Sequence, residues 1–257
     1  MMMPRVIPSL LLKGDGLVKG ANFKEHVYVG DPINAVRIFN EKEVDELLFL
    51  DIAASRDHRL PSLGLIERIA DECFMPFGVG GGINSTGIIR DLLSAGAEKV
   101  CINTAALEDP SLISRAADMF GSQSIVISID AGKGWKGTYR VYSHSGRRKT
   151  KMDPSAWARE AEALGAGEIL LTSIDREGTG RGYDRELTAS VSERVNVPVI
   201  ANGGAGNISD VAEVVNKGNA SAAAAGSLFV FHGRLKAVLI NFPSKEELKD
   251  LFSGGSR

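Results

Sequence analysis

The 257-residue chain repeats itself, and the repeat constrains its fold more than any other feature. Displaced by 122 residues, Glu46-Leu-Leu-Phe-Leu-Asp-Ile falls on Glu168-Ile-Leu-Leu-Thr-Ser-Ile, and Pro76 on Pro198. At the same offset Gly81-Gly82 falls on Gly203-Gly204, and Asn103-Thr104 on Ala225-Gly226. Each matched segment is an apolar run or the turn that follows one. A constant offset over so many segments is the mark of a duplicated architecture.

The apolar runs set the element type. They read as strands at Val6 to Leu12, Glu46 to Ile52, Pro76 to Val79, Lys99 to Asn103, Ser124 to Asp130, Glu168 to Ser173, Pro198 to Ala201 and Ala220 to Ala225. The runs are continuous rather than alternating, as in parallel strands buried on both faces. Helical segments lie between them: Asp31 to Asn40, Ser85 to Ala95, Pro110 to Met119, Asp153 to Gly165, Asp184 to Val195 and Ser209 to Lys217, with Leu235 to Asn241 a weaker candidate. Eight strand–helix units in this length predict a single (β/α)₈ TIM barrel over residues 1–257, made of half-barrels near 1–120 and 121–240. An open doubly wound sheet is the alternative. Residues 132–151, GKGWKGTYRVYSHSGRRKTK, lack helical periodicity and read as a hairpin inserted after the fifth strand, on the face where barrel active-site loops sit.

Composition removes several function classes. Lys plus Arg number 30 against 32 for Asp plus Glu, a net charge of -2, so no basic excess points to nucleic acid. No apolar stretch reaches the roughly 18 residues of a membrane span, and the N-terminus lacks a signal-peptide cleavage pattern. Cys73 and Cys101 stand in apolar contexts and read as reduced, buried thiols. The expectation is a cytoplasmic protein that needs no metal or cofactor.

The duplicated glycines suggest chemistry. A glycine pair at a strand end lets backbone N–H groups approach an anion, and a turn opening a helix after the next strand adds donors. Gly81 and Gly82 with Asn103 and Thr104 form one such set; Gly203 and Gly204 with Ala225, Gly226 and Ser227 form the other. Two sets on opposite sides of a barrel mouth predict a ligand with a phosphate at each end. The plain alternative is that these glycines only make tight turns.

The same residues carry a resemblance. VIPSLLLK, LVKGANF, DELLFLDIAAS, GVGGGI, KVCINTAALEDPSLI, SIDAGK, GAGEILLTSIDREGT, GYD and VIANGGAG together resemble the cyclase subunit of imidazole glycerol phosphate synthase, HisF, from about Arg5 to Ser227. The resemblance implies a (β/α)₈ barrel that pairs at its N-terminal face with a glutaminase subunit, HisH in the family. Ammonia from the glutaminase crosses the barrel to a substrate with two phosphates, and Lys19 of the first loop and Gly178 of the loop after strand six join the substrate site. Arg5, Glu46, Lys99 and Glu168 match the family's ring of charges that gates ammonia.

One departure matters most. The family's acid–base pair is an aspartate on strand one and another on strand five. The second is Asp130, but Leu11 stands at the position of the first. Leucine transfers no proton, and loss of one catalytic carboxylate costs orders of magnitude in rate. Asp15 lies four residues later in the loop. Smaller departures are Arg176-Glu177-Gly178, where the family has Arg-Asp-Gly, and the remodelled Lys13-Gly14-Asp15-Gly16. LLLKGDGLVK, YVGDPINAVRIFNEKEVDELLFLDI and AAGSLFVFHGRLKAVLINFP resemble a divergent HisF-like group of surface-polysaccharide gene clusters. That resemblance implies relay of ammonia to a separate sugar amidotransferase that makes acetamidino sugars. Two other readings stay open: a true cyclase of histidine biosynthesis, and a phosphosugar isomerase or aldolase, which would need no ammonia gate.

Overall fold

The computed structural model of the chain describes residues 3–57, 59–135, 137–233 and 235–253. Eight parallel strands close into a barrel: β1 Arg5–Lys13, β2 Leu47–Asp51, β3 Phe77–Gly80, β4 Lys99–Ile102, β5 Ile125–Lys133, β6 Glu168–Ser173, β7 Val199–Asn202 and β8 Ala222–Ala225. Each strand pairs with the next, β8 pairs with β1, and β5 pairs with β6 from Glu168↔Val126 to Ser173↔Ala131. This is the expected barrel, and the open sheet is excluded.

The pleat divides the apolar runs between two cores. Inward positions Ile7, Leu48, Cys101, Val126, Leu170, Ile200, Ala222 and Ala224 plug the barrel. Outward positions such as Val6, Leu10, Phe49, Ile127, Ile169 and Ala223 pack against the helices. Successive strand residues point to opposite faces. With both faces buried, no polar alternation survives in the sequence.

The helices are α1 Pro32–Glu41, α2 Leu63–Glu72, α3 Thr86–Ser94, α4 Ser111–Phe120, α5 Pro154–Ala163, α6 Arg185–Ser192, α7 Ile208–Gly218 and α8 Lys245–Ser253. Their starts follow from capping chemistry. Asp31, Ser85, Asp153, Asp184 and Asn207 each accept a backbone N–H of the first turn, and Asn207 with Asp210 forms a full capping box. Two short helices, Thr104–Glu108 and Ser227–Val230, follow β4 and β8.

Four features differ from the sequence reading. Leu235 to Asn241 is not a helix: Phe231–His232 and Ala237–Val238 pair as an antiparallel ribbon, and Leu239 and Asn241 donate back to Val230 and Phe229. Positive φ at Gly233 and Lys236 turns the chain there. A second hairpin, Gly16–Ala21 with Lys24–Gly30, extends β1 where a loop was expected. Helix α2 was missed, although Leu65, Ile66 and Ile69 bury one face. Helix α8 was missed too, although Ser244 and Glu247 bond reciprocally at its start. The expected hairpin after β5 is present as Tyr139–Ser143 and Arg148–Lys149, paired to the end of β5.

Candidate functional site

At the N-terminal end of the barrel four inward side chains form a closed ring. Arg5 donates to Glu46 and, at 2.7 Å, to Glu168; Lys99 donates to Glu46 at 3.1 Å and to Glu168 at 3.0 Å. Each base bridges both acids. Strands β1, β4 and β6 supply Arg5, Lys99 and Glu168, and Glu46 immediately precedes β2. Glu46 and Glu168 are repeat mates, which explains why both acids reach the same layer. The two carboxylates are 6% and 9% exposed, so the charges persist there because each is paired. The Arg5 guanidinium is driven above its ordinary range because the attraction of both carboxylates outweighs its burial. Cys101 lies on the inner face above the ring, and burial pushes its thiol far above the ordinary range.

At the C-terminal end the mouth opens into a cavity of about 420 Å³. Asp130 lies in its wall, 9% exposed, and accepts a hydrogen bond from Asn103 Nδ2 at 2.9 Å. Burial pushes the Asp130 carboxyl up to about 7, a rise that the nearby Glu177 charge reinforces and the Thr172 hydroxyl opposes. Leu11 lines the same cavity, so a hydrocarbon stands where the resemblance places the family's first aspartate. Asp15 is exposed in the turn at the base of the first hairpin and is not in the cavity wall.

The duplicated turns are built alike. Gly81 and Gly82 have φ of 106° and 73°, Gly203 and Gly204 of 89° and 114°. A β-carbon at Gly81 would lie 2.2 Å from Asp51 O, and one at Gly203 would lie 2.9 Å from Ser173 O, the repeat mate of Asp51. Glycine is required on both counts. The two sets nevertheless differ in access. Gly81, Gly82, Asn103 and Thr104 line the cavity; Gly178, Gly203, Gly204, Ala225, Gly226 and Ser227 do not.

The first hairpin packs against part of the second set. Lys19 is buried, its ammonium donates to Ser9 O at 2.6 Å, and a β-carbon at Gly226 would meet Lys19 Nζ at 1.7 Å. Burial brings the Lys19 ammonium down to about 8, against the pull of Glu177. Lys19 therefore lies against Gly226 of the second glycine set. Gly178, with φ of 70°, lets Gly20 O approach to 2.1 Å from its absent β-carbon, and Asn22 N donates to Glu177 O at 2.8 Å. The hairpin tip spans the mouth, with Phe23 against Gly146 of the other hairpin. Over the first glycine set, His144 N donates to Thr104 Oγ1 at 2.9 Å. The sequence reading places Lys19 and Gly178 in the site and names Glu177 only as a departure; Glu177 lines the cavity.

Fold and site define the class: a duplicated (β/α)₈ barrel with a charged ring at one end and a carboxylate-bearing pocket at the other. A model of the histidine biosynthesis protein family matches residues 5–236, and the chain belongs to that family. Within it the chain is HisF-like. It is 55% identical over 244 residues to a Pseudomonas aeruginosa protein provisionally named imidazole glycerol phosphate synthase subunit hisF2, covering 95% of this chain and 97% of that one. A Leptospira interrogans protein, provisionally named as the HisF subunit, is 46% identical over 98% of this chain and all of its own length. The Alkaliphilus metalliredigens protein named imidazole glycerol phosphate synthase subunit HisF is 45% identical over 90% of this chain and 92% of its own.

Proposed function

We propose that the chain is the ammonia-conducting barrel of a glutamine amidotransferase assembly. In this reading a HisH-like glutaminase docks on the N-terminal face. Ammonia passes the ring of Arg5, Glu46, Lys99 and Glu168 and crosses the narrow inner core. It leaves at the C-terminal pocket for a separate sugar amidotransferase. The product is an acetamidino sugar of lipopolysaccharide or O-antigen, made in the cytoplasm. The relatives' names as synthase subunits support the assembly.

The observation that carries the reading is the contrast between the two ends. The ring is complete and closed by four ion pairs, while the strand-one position that lines Asp130's pocket carries Leu11 in place of the family's aspartate. An isomerase or aldolase on this scaffold gives the ring no task. The cyclase reading draws support from Asp130, held at about 7 where a general acid works best near neutrality, and from a glycine set open to the cavity.

The two are separated by supplying the purified chain with ammonium salt and the ribulosyl bisphosphate substrate of the family. The proposal expects turnover at least ~100-fold below that of a barrel with both aspartates, and a rise on Leu11→Asp. Turnover of ordinary enzymic size by the unaltered chain overturns it.

A further inference from the structure

One side of the C-terminal mouth carries a group of cations that ammonia transit does not use. Lys13, Lys24, Arg56 and Arg147 all line the cavity, together with His26. They come from separate places. Lys13 stands at the base of the first hairpin, opposite Gly16, and Lys24 at its tip, opposite Ala21. Arg56 belongs to the loop after β2 and Arg147 to the turn of the second hairpin. Contacts between these segments bring them to one edge. Phe23, the neighbour of Lys24, packs on Gly146, the neighbour of Arg147. Ser145 Oγ donates to Ile52 O at 3.1 Å, which ties the second hairpin's turn to the end of β2. Gly82 N donates to Ser55 Oγ at 3.2 Å, and His144 N to Thr104 Oγ1 at 2.9 Å, so both arginines stand beside the first glycine set.

The charges on this edge are not balanced. Arg56 pairs with Asp57, but Lys13, Lys24 and Arg147 make no ion pair among the described residues. The carboxylates of the cavity wall are mostly engaged elsewhere. Asp51 is held by Arg59 and by the N–H groups of Ala53 and Ala54. Glu177 stands on the opposite side, with Oε2 3.2 Å from where a β-carbon of Gly203 would be. Glu25 alone opposes the three unpaired cations. His26 registers the imbalance: its imidazole is held below the ordinary range by burial and by the charges of Lys13, Lys19 and Arg56. The other side of the mouth offers no counterpart, because the second glycine set does not line the cavity.

We infer that this edge binds the diphosphate of a diphosphate-linked sugar, so that the barrel itself holds the acceptor of the ammonia. The inference deepens the proposed reading and rests on it for the sugar; the site adds what carries that sugar. It also departs from the ligand with a phosphate at each end that the glycine repeat suggests. Such a ligand needs donors or cations on both sides of the mouth, and here they gather on one. Lys13 and Lys24 at opposite ends of a hairpin, with two further loops between them, are spread wider than a single phosphate group. Guanidinium forks match paired phosphate oxygens, and the two arginines lie nearest the first glycine set. The apolar part of the wall, Leu11, Leu50 and Ile52, is left for the uncharged body of the ligand.

The test is isothermal titration calorimetry of the full chain, without ammonia or partners. The probes are inorganic phosphate, pyrophosphate, UDP-N-acetylglucosamine and the family's ribulosyl bisphosphate substrate. Pyrophosphate and UDP-N-acetylglucosamine should each bind at least ~10-fold tighter than phosphate and than the bisphosphate, and their affinity should fall as salt rises. Arg56→Gln and Arg147→Gln change exposed side chains and should each weaken UDP-N-acetylglucosamine by at least ~5-fold. Arg185→Gln, outside the cavity wall and paired with Glu213, should leave that affinity unchanged. Equal melting temperatures check that the variants fold. The inference is overturned if UDP-N-acetylglucosamine does not bind, if phosphate or the bisphosphate binds as tightly, or if both arginine variants bind like the unaltered chain. None of these results touches the conduit reading, which stands or falls on the fate of the glutamine nitrogen.

Discussion

Replacing Asp130 with asparagine should stabilise the protein more in alkali than in acid. Asp130 is 9% exposed and its carboxyl is raised from 3.8 to about 7, chiefly by burial. In the pH range between those values the folded chain binds a proton that the unfolded chain has released. Stability therefore falls as pH rises through that window, and the loss is complete above about 7. A rise of that size corresponds to about 4 kcal/mol at the upper end. Asparagine is never charged and still accepts the hydrogen bond from Asn103, so Asp130→Asn removes this cost and little else. For a domain of this length 4 kcal/mol moves the melting temperature by about 10 °C. The assay is thermal unfolding of both proteins at pH 5 and pH 8, followed by fluorescence of the buried Trp157. The variant should melt higher at both values, with the gap at pH 8 more than twice the gap at pH 5, where only about a third of the cost has accrued. An equal difference at both values would refute the burial of a titrating carboxyl at this point.

Two further perturbations probe the two ends of the barrel. Arg5→Met leaves Glu46 and Glu168 buried with Lys99 as their only remaining cation in the ring; it should cost about 3 kcal/mol in chemical denaturation. Gly226→Ala places a methyl group on the Lys19 ammonium; it should lower stability by about 1–3 kcal/mol and expose the first hairpin to limited proteolysis.

Much of this was legible in the sequence because the barrel writes itself in runs buried on both faces. All eight strands lie within a few residues of where those runs place them. The ring was legible through the resemblance, and the repeat equivalence of Glu46 and Glu168 fits their bonding the same two bases. Helix α8 carries a readable Ser244-x-x-Glu247 box at its start. The first hairpin was harder to read. Its turn, Asn22-Phe23, takes positive φ at both residues, a conformation usually announced by glycine. The glycine sets are equivalent by repeat, yet only the first lines the cavity, and Lys19 packs on Gly226 of the second. Glu177 counts in sequence only as a small departure, because a loop sequence does not tell which of its residues line the cavity.

The most direct test of the account follows nitrogen from glutamine. The chain is combined with its glutaminase and the sugar amidotransferase, and given amide-¹⁵N glutamine in a pool of unlabelled ammonium. Passage through the barrel predicts an acetamidino product that carries the glutamine label undiluted, and dilution to the level of the pool once Lys99→Glu breaks the ring. Label already diluted to the pool with the unaltered chain, or a product independent of the chain, would contradict it.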